Sequence, residues 1–190
     1  MAYILIFIGA IFVNNIVLSQ FLGICPFLGV SKKMETAVGM SGAVAFVMTI
    51  ATIVSFLIEK LLLEPFSLQY LQTIVFIFVI ASLVQLIEII IKKTAPAIYQ
   101  ALGVFLPLIT TNCVILGVAI MVIKKDFSLL ESVVFAVSSS IGFGLVLIVF
   151  SGIREQLSLT KVPKEMQGTP IALLVAGLLS MAFMGFTGIV

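Results

Sequence analysis

Apolar residues run through this 190-residue chain in long stretches, and charged side chains fall only in short clusters between them. Residues 1–31, 36–58, 65–87, 94–123, 132–153 and 166–190 contain no Asp, Glu, Lys or Arg. Each stretch can supply the ~20 residues a helix needs to cross a ~30 Å hydrocarbon core. Six spans are therefore expected. A membrane barrel would need short segments of alternating polarity, and none is present. Helices, which pair their own backbone groups inside lipid, remain. The first stretch is expected to be a retained span: it exceeds the ~7–15 apolar residues of a leader and has no basic head.

Composition agrees: 62% of residues are hydrophobic and 9% charged, with mean hydropathy +1.37, whereas a soluble domain carries about 25% charged residues. So few polar groups cannot cover a globular surface, which excludes a soluble enzyme, and a net charge of +2 is too thin and scattered for the phosphate-binding face of a nucleic-acid-binding protein. The absence of His removes imidazole acid–base chemistry and most metal sites. Basic residues set an expected orientation. The odd-numbered loops hold Lys32, Lys33, Lys92, Lys93, Arg154, Lys161 and Lys164, and the even-numbered loops hold Lys60, Lys124 and Lys125. The positive-inside rule then places odd loops in the cytoplasm and both termini outside. Tyr3, Tyr70 and Tyr99 fall near span ends, where amphipathic rings prefer the interface.

The chain also repeats itself. The first and fourth stretches are the long ones, and each contains C-x-x-L-G-V, at Cys25–Val30 and Cys113–Val118, beginning with the only two cysteines. Halves of about 1–93 and 94–190 would each hold three spans, an odd number, and would enter the membrane from opposite sides. The expected architecture is a single all-α membrane domain over 1–190, six transmembrane helices as two inverted three-helix repeats. The long stretches also predict interrupted helices 1 and 4. Pro26 disfavours helix at Cys25 and suits the first residue of a new half-helix. Pro107 weakens the fourth helix, and Thr110, Thr111 and Asn112 offer caps ahead of Cys113.

Each cysteine is thus expected at a half-helix N-terminus, where orphan N–H groups and the helix dipole favour negative charge. Counting ~1.5 Å per residue from Lys32 and Lys124, Cys25 lies ~10 Å from one face and Cys113 ~16 Å from the other. In a ~30 Å core their depths differ by about 4 Å. Four readings remain open on these residues alone: inert packing of buried thiols, a disulfide, a small inverted-repeat transporter with incidental cysteines, and metal ligation. Two thiolates do not complete a structural zinc site, and an iron–sulfur cluster normally takes four. A cluster would need ligands from another chain.

Residues 22–33 (L-G-I-C-P-F-L-G-V-S-K-K), 103–119 (G-V-F-L-P-L-I-T-T-N-C-V-I-L-G-V-A), 152–155 (G-I-R-E) and 176–188 (A-G-L-L-S-M-A-F-M-G-F-T-G) closely resemble the A-type subunits of the Rnf electron-transport complex. That family also includes the E subunit of the Na⁺-translocating NADH:quinone oxidoreductase, and the resemblance covers essentially the whole chain. It implies a membrane subunit of a ferredoxin:NAD⁺ oxidoreductase complex in the bacterial inner membrane, whose electron flow is coupled to Na⁺ or H⁺ translocation. It also implies a [2Fe–2S] cluster shared with a homologous Rnf E subunit of opposite orientation, with Cys25 and Cys113 as this chain's ligands. Further partners implied are the Rnf B, C, D and G subunits. Gly23, Pro26, Gly29, Thr111, Asn112 and Gly117 are expected around the cluster. The glycines there would admit close backbone approach, and small residues also serve helix packing in membranes. Asn14, Asn15, Ser19 and Gln20 make the first stretch unusually polar, in keeping with hydrogen bonds between helices.

Overall fold

The computed structural model describes residues 2–66, 69–94, 106–160, 163 and 166–185, and every described element is helical. Tyr99 lies outside the described residues; Tyr3 and Tyr70 are both exposed. The chain opens with α1 (Ala2–Ile8), which runs on as a π-helical turn over Gly9–Val13. Two short helices follow, α2 (Ile16–Gln20) and α3 (Ile24–Val30). Then come α4 (Met34–Ile58), extended by a π-helical turn over Glu59–Leu63, and α5 (Gln72–Thr94). The second half holds α6 (Leu106–Thr110), α7 (Cys113–Lys124), α8 (Leu129–Leu159) and α9 (Thr169–Met184).

Among the described residues, four helical stretches are long and apolar enough to cross a membrane: Met34–Leu63, Gln72–Ile90, Pro107–Lys124 and Leu129–Leu159. Tyr3–Val13 and Thr169–Met184 are apolar but shorter. The interruptions expected in the first and fourth stretches are both present, with one correction. The first stretch breaks twice, at Asn14–Asn15 and again at Phe21–Gly23, because Phe21 and Gly23 both take left-handed backbone (φ 55° and 81°). The half-helix therefore starts at Ile24, and Pro26 is its third residue, not its first. Proline is tolerated there because the first-turn N–H groups have no intrahelical acceptor.

The core is the pair α4 and α8. Buried positions on α4 recur as Ala37, Met40, Val44, Met48, Ala51 and Ser55, one stripe at helical spacing. Against it packs α8, in which Ser139, Ser140 and Gly144 are small buried residues. A Cβ on Gly144 would lie 3.2 Å from Ser41 Cβ, so the two backbones come close in the small-residue manner of membrane helices. Among the described side chains of α5, only Phe76, Ile80 and Val84 are deeply buried, and its other face is bare: Phe78 is 73% exposed. The start of α8 is fixed locally, where the Glu131 carboxylate accepts from the Ser128 N–H (2.9 Å) and hydroxyl (2.8 Å). Phe27 stacks on Phe150 with centroids 4.0 Å apart, which pins α3 to α8.

Candidate functional site

The two broken helices are built around matched asparagines. Asn15 ends the first break and Asn112 the second, and each side-chain oxygen accepts the N–H two residues on, from Val17 and Val114, both at 3.1 Å. Each is an N-cap with extended backbone. Asn15 also donates through Nδ2 to Ile11 O and Gly142 O, both at 3.0 Å. That bond to α8 closes the gap left by the π-helical turn. Gly142 must be bare for this contact: its Cβ would lie 3.2 Å from Ala10 O and 3.3 Å from Ile11 Cα. Ser180 of α9 holds the next segment by donating to Leu18 O (2.7 Å).

The second break of the first stretch delivers Gly23 to Cys113. The Gly23 N–H donates to Cys113 Sγ at 2.9 Å, across 90 residues of sequence. Gly23 is the N-cap of α3 and Cys113 the first residue of α7, so the N-termini of two half-helices meet at one sulfur. Cys25, second in α3, is exposed, while Cys113 is partly buried, and neither forms a disulfide. Cys25 and Gly29 are four residues apart on the open face of α3, whereas Pro26, Phe27 and Val30 turn inward. At its other end, α3 is held by Arg154, whose Nη1 donates to Leu28 O and Ser31 Oγ, both at 2.8 Å. A cation there suits the C-terminal end of a helix.

The remaining expected residues divide. Gly23 is a packing requirement inside the chain, since a Cβ there would overlap Val114 Cγ2, whereas one on Gly117 would lie 2.6 Å from Leu22 Cδ1, the movable end of a half-buried side chain. Gly29 is no such requirement, since its Cβ would meet only Leu108 Cδ1 at an ordinary 3.6 Å. Thr111 is exposed and donates back to Pro107 O (3.1 Å), a local bond. Asn112 does the capping. Gly142, Arg154 and Ser180 are site-building residues that the sequence alone does not single out as such. For Gly142 the only sequence signal is its place in a run of small residues, and for Arg154 the G-I-R-E motif.

Among the described residues, no group of three or more His, Cys, Asp or Glu side chains converges to hold a metal. The donors this stretch does offer are two thiols, a backbone N–H already directed at sulfur, and the Asn112 Nδ2, which is buried without a partner. That set fits half of a four-thiolate iron–sulfur ligand shell together with its N–H donors, and it fits a complete zinc site poorly.

Comparison with known proteins decides the family. The model of the family described as "Rnf-Nqr subunit, membrane protein" matches residues 3–190. The chain belongs to this Rnf-Nqr family. Its similarity to curated members is high. It is 57% identical over 188 residues to the A-type subunit of the Na⁺-translocating ferredoxin:NAD⁺ oxidoreductase complex of Acetobacterium woodii, covering 99% of this chain and 98% of the relative. It is 55% identical over 187 residues to the A-type subunit of the ion-translocating oxidoreductase complex of Syntrophotalea carbinolica, covering 98% and 97%. The Vibrio vulnificus counterpart, which carries the same name as the Syntrophotalea protein, is 52% identical over 188 residues, covering 99% and 98%. The family match over residues 3–190 bears out the resemblance read from the four stretches over essentially the whole chain, and the apolar helices are those of a multi-pass membrane protein.

Proposed function

We propose that the chain is a membrane subunit of an Rnf-type ion-translocating oxidoreductase complex in which Cys25 and Cys113 hold half of a [2Fe–2S] cluster. The other two thiolates come from a homologous subunit of opposite orientation, and the Rnf B, C, D and G subunits complete the assembly. When bound, the cluster supplies a one-electron relay inside the bacterial inner membrane, in a complex that moves Na⁺ or H⁺. The observation that carries this reading is the 2.9 Å bond from the Gly23 N–H to Cys113 Sγ. It joins the two cysteine-bearing half-helices at their N-termini, where N–H groups and dipoles offset the negative charge of thiolate sulfur.

Exposure supports the shared arrangement. Cys25 sits on the open face of α3 with the bare backbone of Gly29 four residues on, so a second subunit can approach closely. In this chain the work of Asn15, Asn112, Arg154 and the Phe27–Phe150 stack is to hold the half-helices, and with them the sulfurs, in place. The same reading takes 1–190 as one domain of six spans, two inverted halves meeting near residue 93, with both termini external.

The test is the iron and acid-labile sulfide content of the subunit pair purified from membranes. Two of each per pair are expected, with an electron paramagnetic resonance (EPR) signal on reduction. Cys25→Ser and Cys113→Ser should each abolish both while the pair still assembles. A well-assembled wild-type pair without iron refutes the proposal.

A further inference from the structure

The matched asparagines differ in one respect. Both are almost fully buried, 1% exposed for Asn15 and 3% for Asn112, and both cap through the side-chain oxygen. The Nδ2 of Asn15 is satisfied twice, by Ile11 O and Gly142 O. The Nδ2 of Asn112 is buried and has no acceptor among the described residues. Turning the amide over does not help, because Nδ2 would then face the Val114 N–H, donor against donor. A buried, unmade N–H of this kind costs about 1–3 kcal/mol, and serine or aspartate would cap as well without it. The donor therefore has a use outside the cap. Its residue is bonded to Cys113, and its Oδ1 lies 3.5 Å from where a Cβ of Gly23 would stand, so the amide sits against the turn that already donates to the sulfur.

We infer that Cys113, on turning to a metal centre, brings its thiolate to the Asn112 Nδ2–H, which is closed to outside atoms and reaches no sulfur before that turn, and that this bond tunes the centre's reduction potential. This rests on the cluster reading above. Hydrogen bonds to cluster sulfur stabilise the more negative, reduced state and raise the potential. Asn112 is a positioning and tuning residue: it ligates no metal and carries no electron. Asn15, whose amide is spent on Ile11 and α8, has no such role.

The experiment uses the assembled complex in detergent. Asn112→Ser keeps a capping oxygen and removes the donor, and Asn112→Asp keeps the shape and replaces the donor with an acceptor. In an EPR-monitored redox titration, each should shift the reduction equilibrium about tenfold against reduction, ~59 mV more negative for a one-electron couple. A second readout needs no substitution. In complex labelled with ¹⁵N only in asparagine side chains, pulsed EPR of the reduced centre should show a ¹⁵N coupling, and Asn112→Ser should remove it. Wild-type potential in an iron-replete Asn112→Ser complex, or absence of the ¹⁵N coupling in the labelled wild type, overturns the inference and leaves the cluster standing. Absence of iron from the wild-type pair refutes the cluster itself.

Discussion

Replacing Gly23 with alanine probes the contact on which the arrangement of the two half-helices depends. Gly23 has φ 81° and ψ 22°, a left-handed conformation that costs a residue with a Cβ roughly 1–2 kcal/mol. The added methyl would also overlap Val114 Cγ2 and lie 3.1 Å from Phe143 Cε2. Val114 and Phe143 are both 0% exposed, so neither side chain can swing aside, and overpacking of this kind costs about 1–3 kcal/mol. The sum is about 2–5 kcal/mol. Relief would come by α3 moving away from α7, which lengthens the bond from the Gly23 N–H to Cys113 Sγ. Sodium dodecyl sulfate titration of the purified chain in mixed micelles measures the loss, and thiol labelling of Cys113 reports the opening. Gly29→Ala is the control. Its Cβ meets only one side-chain carbon at 3.6 Å, within a helix where alanine is favoured by about 0.5–1 kcal/mol. Adding Val114→Ala to Gly23→Ala should remove the overlap and leave the backbone strain. A Gly23→Ala chain within about 0.5 kcal/mol of the parent, with unchanged labelling, would refute the reasoning.

Asn15→Ala should cost about 2–4 kcal/mol, because it removes the cap and strips donors from Ile11 O and Gly142 O, whereas Asn112→Ala loses a cap worth about 1 kcal/mol but also sheds an unmade buried N–H, so its net cost in the isolated chain should be near zero. Equal losses in the same titration would contradict the asymmetry. Arg154→Met, which keeps the apolar stem, should lose about 1.5–3 kcal/mol and speed labelling of Cys25, since Leu28 O and Ser31 Oγ both lose the charged donor they share. Unchanged stability and labelling would remove Arg154 from the site. Glu59 is 5% exposed with Oε2 lacking a partner, and the nearby Lys60 ammonium lies over the Phe56 ring at 5.3 Å. Glu59→Gln should therefore stabilise the chain by about 1 kcal/mol, as removal of an uncompensated buried charge does. Destabilisation of that size would mean the carboxylate has a partner in the assembly.

The amino-acid sequence determined what depends on neighbours within a few residues. Charge clusters at Lys32–Lys33, Lys92–Lys93 and Lys124–Asp126 marked helix ends, the long charge-free stretches announced breaks, and an asparagine before Cys113 announced a cap. Asn15 stood in an equally legible place, yet its bonds to Ile11 and Gly142 depend on a helix far along the chain. Pro26 misled by two residues, because Gly23, free to take φ 81°, had already started the helix at Ile24. Which face of each helix packs was not legible. A helix apolar all round carries little amphipathic contrast, so the stripe on α4 and the bare face of α5 follow from partners and not from pattern. The meeting of Gly23 with Cys113, the closeness of Gly142 to the first break and the grip of Arg154 on α3 are likewise long-range. Local chemistry chose where the chain breaks. Only packing of distant helices decided what each break touches, because those contacts bring together residues that share no local signal.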